Sequence, residues 1–383
     1  MWWYWVVFFS LMGCSFIEQF THLSKKRAET ICFIYMCFFL FVGTIRWNQE
    51  LGDWKGYNWV FNWEDITSFS QVFSIDYWAF EPFFYIAMRI IKFATNNYTV
   101  LLFFMVAVAN GCFYRAAVYI NKRVMTCAGN FGDDRSIILT MYFAFWATNC
   151  ASIFTVRTNM AVAICMMSIK AIEEKKPWKF IAMVFVASMF HFVSIIFFIA
   201  YPVYMKKFNI EYALLMIWIA LAVSVIGLER LIPLIGLLGG RYAQKIDTYN
   251  IAKGSNDYPY MSYSGVFLTI RAMANTILIL CISLYIKRYL KFDKRFNGLF
   301  NIYLLGAFVQ SLTISYNLEF ARAAIFFINT QFFVLPYIFK VSKVTNRNKY
   351  IYFFGYSAFM MVKMYSLLHS APGYAEFTTI FSK

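Results

Sequence analysis

Long apolar stretches separated by short polar islands run through most of this sequence and restrict what the chain can fold into. Many of them are close to 20 residues, the length of a helix that crosses the hydrocarbon core of a bilayer. Hydrophobic residues make up 61% of the 383 residues and charged residues only 14%, against roughly 25% charged residues in soluble domains. We therefore predict an all-α polytopic integral membrane protein, with about 11–12 transmembrane or half-membrane helices and two periplasmic loops.

The apolar stretches also predict where the helices lie. The opening stretch has no basic start and no small-residue cleavage site, so we interpret it as a spanning helix and not as a signal peptide. Residues 1–383 are interpreted as a single membrane domain. The predicted spans are 2–20, 31–46, 97–120, 136–151, 157–171, 210–228, 265–286, 298–316, 322–339 and 350–367.

Lysine and arginine concentrate in short islands between the spans, which predicts the topology. The positive-inside rule assigns these islands to the cytoplasm, so the loops at 46–81 and 229–264 fall on the periplasmic side. The formal net charge of +16 is then a topology signal, and we expect no nucleic-acid partner. The islands are 21–30, 121–135, 170–179, 205–207, 287–295 and 340–349.

Two apolar segments are too short for ordinary crossings. Residues 83–94 are amphipathic, and we predict that they form a helix along the outer interface. Residues 178–206 lie between two basic islands and must cross an even number of times, yet they are too few for two full spans. We expect either two half-helices that turn near His191, or one normal span with Lys206 and Lys207 on the outer side.

Several arginines fall at one level of this topology, at or just below the outer interface. Four belong to four different spans and a fifth lies in the second loop: Arg46, Arg157, Arg271, Arg322 and Arg241. A guanidinium at such a depth costs a few kcal/mol unless a partner compensates, and its planar fork binds phosphate in a bidentate way. The pattern favours a shared site for a lipid-linked diphosphate. The alternative is that each arginine reaches the headgroups or pairs with Asp53, Glu81 or Glu319.

A candidate base also falls at this level. His191 is the one histidine of three that is surrounded by apolar sequence, and a neutral imidazole there could deprotonate a hydroxyl. Alternatively, it is a core histidine with a single hydrogen bond, and an outer carboxylate such as Asp53, Glu81 or Glu319 serves as the base. Trp54 and Tyr57 could stack on sugar rings, although interfacial aromatics usually anchor the protein.

Metal and disulfide chemistry are not indicated. The eight cysteines include no CxxC pair, so neither a disulfide framework nor a zinc site is expected. The outer loops contain no DxD motif, which argues against metal-dependent glycosyl transfer. We expect no metal and no cofactor.

The block FTVRTNMAVAICMMSIKAIEEKKPWKFIAMVFVASMFHFVSIIFFIAYPVY (154–204) resembles the centre of the EpsG-like branch of bacterial polysaccharide polymerases. It has an arginine that opens a helix, a lysine-rich turn, and a Phe-His pair followed by an apolar run. The resemblance extends to GDWKGYNWVF after Arg46, to Glu81-Pro82, and to EFARAAIFF near the end of the chain.

This resemblance implies an O-antigen polymerase of the Wzy type in a bacterial inner membrane, with its active site facing the periplasm. Such an enzyme transfers a growing glycan from undecaprenyl diphosphate to another lipid-linked repeat unit. The implied partners are the undecaprenyl-diphosphate-linked oligosaccharide, membrane lipids and a chain-length regulator protein. Carried over, Arg157 and Arg322 would hold the leaving diphosphate and His191 would take the acceptor proton. The remaining candidate substrate-binding residues are Arg46, Arg271, Arg241, Asp53, Trp54, Tyr57, Asn159 and Glu319.

The alternative function is a flippase or exporter of the same lipid-linked oligosaccharide. It would need a positive pathway that continues to the cytoplasmic side. Arg115 is the single arginine predicted deep in the membrane below the outer arginines, which disfavours such a pathway.

Overall fold

A computed structural model describes most of the chain. It covers residues 2–21, 23–46, 54–62, 81–127, 136–144, 155–206, 208–227, 266–291, 293–313, 322–341 and 343–370. Within these ranges every extended regular element is a helix, and the chain is an all-α membrane protein.

The first half of the chain contains eight α-helices and one long 3₁₀ segment within the described ranges. They are α1 Trp2–Phe20, α2 Lys25–Ile45, α3 Trp54–Asn62, α4 Pro82–Ala94, α5 Tyr98–Cys127, α6 Ile137–Ala144, α7 Val156–Glu173, α8 Pro177–Ser188 and the 3₁₀ helix Phe192–Ile199.

The second half begins with α9 Ala200–Met205, which continues directly from the 3₁₀ helix. It is followed by α10 Ile210–Gly227, α11 Val266–Lys287, α12 Lys294–Thr313, a 3₁₀ turn at Arg322–Ala324, α13 Ile325–Ile328, α14 Gln331–Val334, α15 Tyr337–Lys340 and α16 Asn346–Ser370.

Hydropathy located these helices well. Three of the described helical stretches are long and apolar enough to cross a membrane: Lys26–Ile45, Tyr98–Asn121 and the succession of short helical elements at Arg322–Lys340. Helices α2 and α5 run more than one turn beyond their predicted spans, into basic islands. Lysine and arginine are good helix formers, and the Ser24 side chain caps α2 by accepting a hydrogen bond from the Arg27 N–H (3.4 Å).

The chain reverses near His191, as one of the two sequence interpretations predicted. Helix α8 ends at Ser188, and the ring of Phe180 in its first turn lies 6.2 Å from the rings of both Phe197 and Phe198. In one continuous helix residues 180 and 197 would be about 25 Å apart. The reversal agrees with the interpretation as two short helices that turn near His191, and their depth in the membrane stays a prediction.

Helix α4 confirms the amphipathic helix predicted at 83–94. One face is buried through Phe84, Tyr85 and Met88, whereas Phe93 is 96% exposed. Its location along a membrane surface stays a prediction. Of the two predicted loops, 46–81 contains α3, and 229–264 lies outside the described residues.

The chain divides by packing into two compact units. The first comprises Met1–Phe198 with Pro336–Lys383, and the second comprises Ile199–Leu335. In the first unit α5 packs against α2 and α7, α7 packs against α8, and α1 packs against α6. The single-domain interpretation stays a prediction.

The second unit is built around α12, which packs against α9, α10 and α13. Gly306 permits one of these close approaches, since a Cβ there would lie 2.8 Å from the backbone nitrogen of Ile328. Asn301 donates a hydrogen bond to the Lys206 carbonyl (2.7 Å), which satisfies the end of α9.

Candidate functional site

Arg157 lies in the first turn of α7 and is held by two polar side chains. Its Nε donates to the Tyr57 hydroxyl (2.8 Å), and its Nη1 forms an ion pair with Glu81 Oε2 (2.5 Å). The guanidinium carbon also lies 5.0 Å from the centre of the Tyr57 ring and 5.6 Å from that of Phe84. Of the three carboxylates considered as partners, the structure pairs Arg157 with Glu81.

Glu81 connects Arg157 to the chain reversal at His191. Its second oxygen, Oε1, accepts a hydrogen bond from the Phe192 N–H (3.0 Å). The side chain is not used to cap its own helix, α4, although Glu81 occupies the N-cap position. A second bond fixes the same two elements, because the Phe83 N–H donates to the Met189 carbonyl (3.0 Å).

Arg46 follows α2 directly and is completely buried, with 0% of its surface exposed. The phenols of Tyr98 and Tyr57 are the titratable side chains near its guanidinium. None of its three guanidinium nitrogens has a hydrogen-bond partner among the residues that the structure describes. An arginine remains charged when buried, and a buried charge without a partner is costly, so this position calls for an anion.

Five residues from five parts of the chain thus form one cluster, which we call the Arg46–Arg157 cluster. It consists of Arg46, Tyr57, Glu81, Tyr98 and Arg157. Tyr57 binds Arg157 and also lies near Arg46, which brings the end of α2 and the start of α7 close together. The topology predicted this for the two arginines and for the reversal at His191, and the structure brings all three together.

Aromatic rings surround the cluster and keep it buried. Tyr98 packs edge-on against Trp54 (5.3 Å between ring centres) and Phe61 (5.7 Å), and Tyr57 packs edge-on against Phe84 (4.9 Å). Trp54 and Tyr57 are only 3% and 1% exposed. Both rings therefore support the arginines in this state, and stacking on a sugar stays a prediction.

The other predicted site residues are spread over both units. Asn159 is buried in α7 at 6% exposure, close in sequence to Arg157. Arg322 opens the 3₁₀ turn of the second unit and is exposed. Residue 271 belongs to α11, but its side chain is outside the described set, and Asp53, Arg241 and Glu319 also lie outside the described residues.

Sequence reasoning named Glu81 as one of several carboxylates that could pair with an arginine or act as the base, and as part of the family resemblance, and it did not identify Tyr98. A signal for Glu81 was present, because a carboxylate before a proline stands at the start of a helix whose first residue has no N–H to cap. Tyr98 carried no such signal, since it is one of 27 tyrosines in the chain. In the described residues, no group of three or more His, Cys, Asp or Glu side chains could hold a metal ion.

Comparison with known proteins identifies the family. The chain matches the EpsG family over residues 29–379. It belongs to the EpsG family. The matched range contains the whole cluster and His191, and membership indicates a membrane protein of the polysaccharide-polymerase type. No curated protein and no solved structure gives a significant match.

Proposed function

We propose that this chain is an O-antigen polymerase. It is a metal-independent glycosyltransferase that joins undecaprenyl-diphosphate-linked oligosaccharide units at the periplasmic face of the bacterial inner membrane. Family membership supports the polysaccharide chemistry. The remainder of the proposal rests mainly on Arg46, a fully buried guanidinium with no hydrogen-bond partner among the described residues.

The charges of the cluster favour an anionic ligand. Among the described residues, the cluster contains two positive side chains, Arg46 and Arg157, and one negative side chain, Glu81, so positive charge is in excess there. A diphosphate would supply both the missing charge and acceptor oxygens for the fork of Arg46. In a membrane, a ligand with this chemistry is the diphosphate head of a lipid-linked glycan.

The reaction needs what these residues provide. The acceptor hydroxyl attacks the anomeric carbon of the donor sugar, the bond from that carbon to the phosphate oxygen breaks, and the lipid diphosphate leaves with the bonding electrons. Negative charge therefore develops on the diphosphate, and fixed guanidiniums stabilise it more in the transition state than in the ground state. His191 accepts the proton of the hydroxyl as the new bond forms.

The remaining roles rest on the family resemblance. Arg322 and Arg271 of the second unit assist on the diphosphate, while Asn159, Arg241, Asp53 and Glu319 contact the glycan or its acceptor. Trp54 and Tyr57 line the same site. Membrane lipids surround the protein, and a chain-length regulator is the protein partner that such an enzyme needs to limit its product.

A detergent assay separates polymerisation from transport. Purified protein is incubated with lipid-linked repeat units, and the products are resolved by size. A polymerase makes a ladder of longer glycans without a second compartment, whereas a flippase leaves the units unchanged. Folded wild-type protein that produces no ladder would refute the proposal. Arg115→Ala is the control for the loss of an arginine in general. Arg115 is an exposed arginine of α5, and we expect the variant to make the same ladder as wild type.

A further inference from the structure

We infer that Glu81 is a positioning residue, whose single carboxylate fixes the Arg157 guanidinium relative to the chain reversal that carries His191. This inference rests on the proposed function, since it concerns the placement of a diphosphate-binding group and a base. Neither the sequence nor family membership gives Glu81 a positioning role. The evidence is the division of its two oxygens between two separate elements.

The two oxygens of Glu81 bind groups that are far apart in sequence. Oε2 accepts from Nη1 of Arg157, and Oε1 accepts from the Phe192 N–H at the first residue of the 3₁₀ helix. The Arg157 guanidinium is fixed along a second edge by Tyr57 at 2.8 Å. It is therefore held at two points and cannot rotate about its long side chain without breaking one of them.

The backbone on both sides of His191 is fixed as well. The His191 N–H donates to the Ala187 carbonyl (3.0 Å), and its own carbonyl accepts from the Ser194 N–H (3.0 Å). The Phe83–Met189 bond ties the same reversal to α4. Together with the Glu81–Phe192 bond it clamps the reversal on both sides of His191, so that the backbone that carries the imidazole is fixed in position.

The Glu81 side chain is available for this purpose because its own helix does not need it. Pro82 has no N–H, and the N–H groups of Phe84 and Tyr85 donate to the Glu81 backbone carbonyl (3.1 and 3.3 Å). The carboxylate is only 15% exposed and does not cap its own helix, so its hydrogen bonds go to other parts of the fold. Catalysis is sensitive to such placement, since a displacement of about 1 Å can cost about 100-fold in rate.

Three variants test the inference: Glu81→Gln, Glu81→Ala and, as the control, Glu174→Gln. Glutamine keeps one acceptor oxygen and therefore loses one of the two bonds, whereas alanine loses both. Like Glu81, Glu174 forms an ion pair, but its partner is Lys176 at the surface. For each purified variant, elongation of lipid-linked units gives kcat and KM, and a melting curve gives the folded fraction.

We expect kcat per folded molecule to fall about tenfold or more in Glu81→Gln and further in Glu81→Ala, with KM for the donor nearly unchanged. Glu174→Gln behaves as wild type. An unchanged kcat in Glu81→Gln would overturn the inference, as would a loss that only follows the folded fraction.

A second measurement does not depend on activity. In a background with His22 and His369 replaced by glutamine, the rate at which diethyl pyrocarbonate modifies His191 reports how firmly the reversal is held. Glu81→Ala is expected to raise this rate several-fold, and an equal rate would overturn the clamp. If wild-type protein makes no ladder yet shows this change, the proposed polymerase function fails and the clamp stands.

Discussion

The first unit contains two buried polar clusters that are built in opposite ways. One is the Arg46–Arg157 cluster. The other, the Glu18–Lys340 network, consists of Glu18, Asn121, Thr140 and Lys340. Glu18 is fully buried in α1, and its two oxygens accept from the N–H groups of Ile138 and Leu139 at the start of α6, both at 2.9 Å.

The rest of the Glu18–Lys340 network is also internally satisfied. The Asn121 amide donates to the Thr140 hydroxyl (3.1 Å) and to the Ala117 carbonyl (2.9 Å), and its oxygen accepts from Lys340 Nζ (2.8 Å). Each of these groups meets a partner supplied by the fold. A network of this kind stabilises one arrangement of helices.

The Arg46–Arg157 cluster differs at Arg46. Arg46 is as deeply buried as Glu18, yet none of its nitrogens has a hydrogen-bond partner among the described residues. Burial with satisfaction is typical of a structural group, and burial without it indicates a group whose partner arrives from outside. The contrast predicts that variants in the two clusters affect different quantities, activity in one and stability in the other.

The largest expected effect is that of Arg46→Met. Methionine fills a similar elongated volume without charge, so the rate of chain growth is expected to fall about 100- to 1000-fold through loss of a donor to the diphosphate. The melting temperature of the ligand-free protein should stay equal or rise, because an unpaired buried charge has been removed. Chain growth and the melting temperature are measured in the same detergent. A large drop in melting temperature with normal chain growth would show that Arg46 stabilises the fold and does not bind the substrate.

Arg157→Lys is expected to have the next largest effect. Lysine keeps the positive charge beside Glu81 but lacks the planar fork that also reaches Tyr57. We expect chain growth to fall about 10- to 100-fold while the melting temperature stays close to that of wild type. Initial rates at saturating donor measure the loss, and wild-type rates would show that charge alone suffices at this position.

Glu18→Ala tests the opposite cluster. Removal of the carboxylate leaves two buried N–H groups of α6 without acceptors, which costs about 1–3 kcal/mol of unfolding free energy. We expect a lower melting temperature and unchanged chain growth per folded molecule. Thermal melting combined with size-exclusion chromatography measures the folded fraction, and a loss of activity in the remaining folded protein would join this network to the functional site.

The sequence predicted the two clusters unequally, for physical reasons. The lengths of the apolar stretches predicted where the helices lie. The lysine-rich islands predicted that Arg46, Arg157 and the reversal lie at the same depth, because the predicted topology depends only on charge and length. The pairing of Arg157 with Glu81 depends on which helices pack together, and no local pattern encodes that. Glu18 was invisible for the same reason, since its partners are backbone groups of a helix more than 100 residues away in the chain.

The smallest expected effect is that of Glu174→Gln, which marks the lower limit of the comparison. Its carboxylate pairs with Lys176 (2.9 Å), whose side chain is 60% exposed, and pairs of this kind contribute little. The hydrogen bond from Lys176 lowers the pKa of Glu174, so any contribution is present above the ordinary glutamate pKa and is lost as the pH falls below it. We therefore expect the melting temperatures of wild type and variant to coincide at acidic pH and to remain indistinguishable at neutral pH. A measurable gap at neutral pH that closes on acidification would show that even an exposed ion pair stabilises this fold. In that case the presence of a partner, and not burial, would be the property that distinguishes residues that stabilise the fold from Arg46.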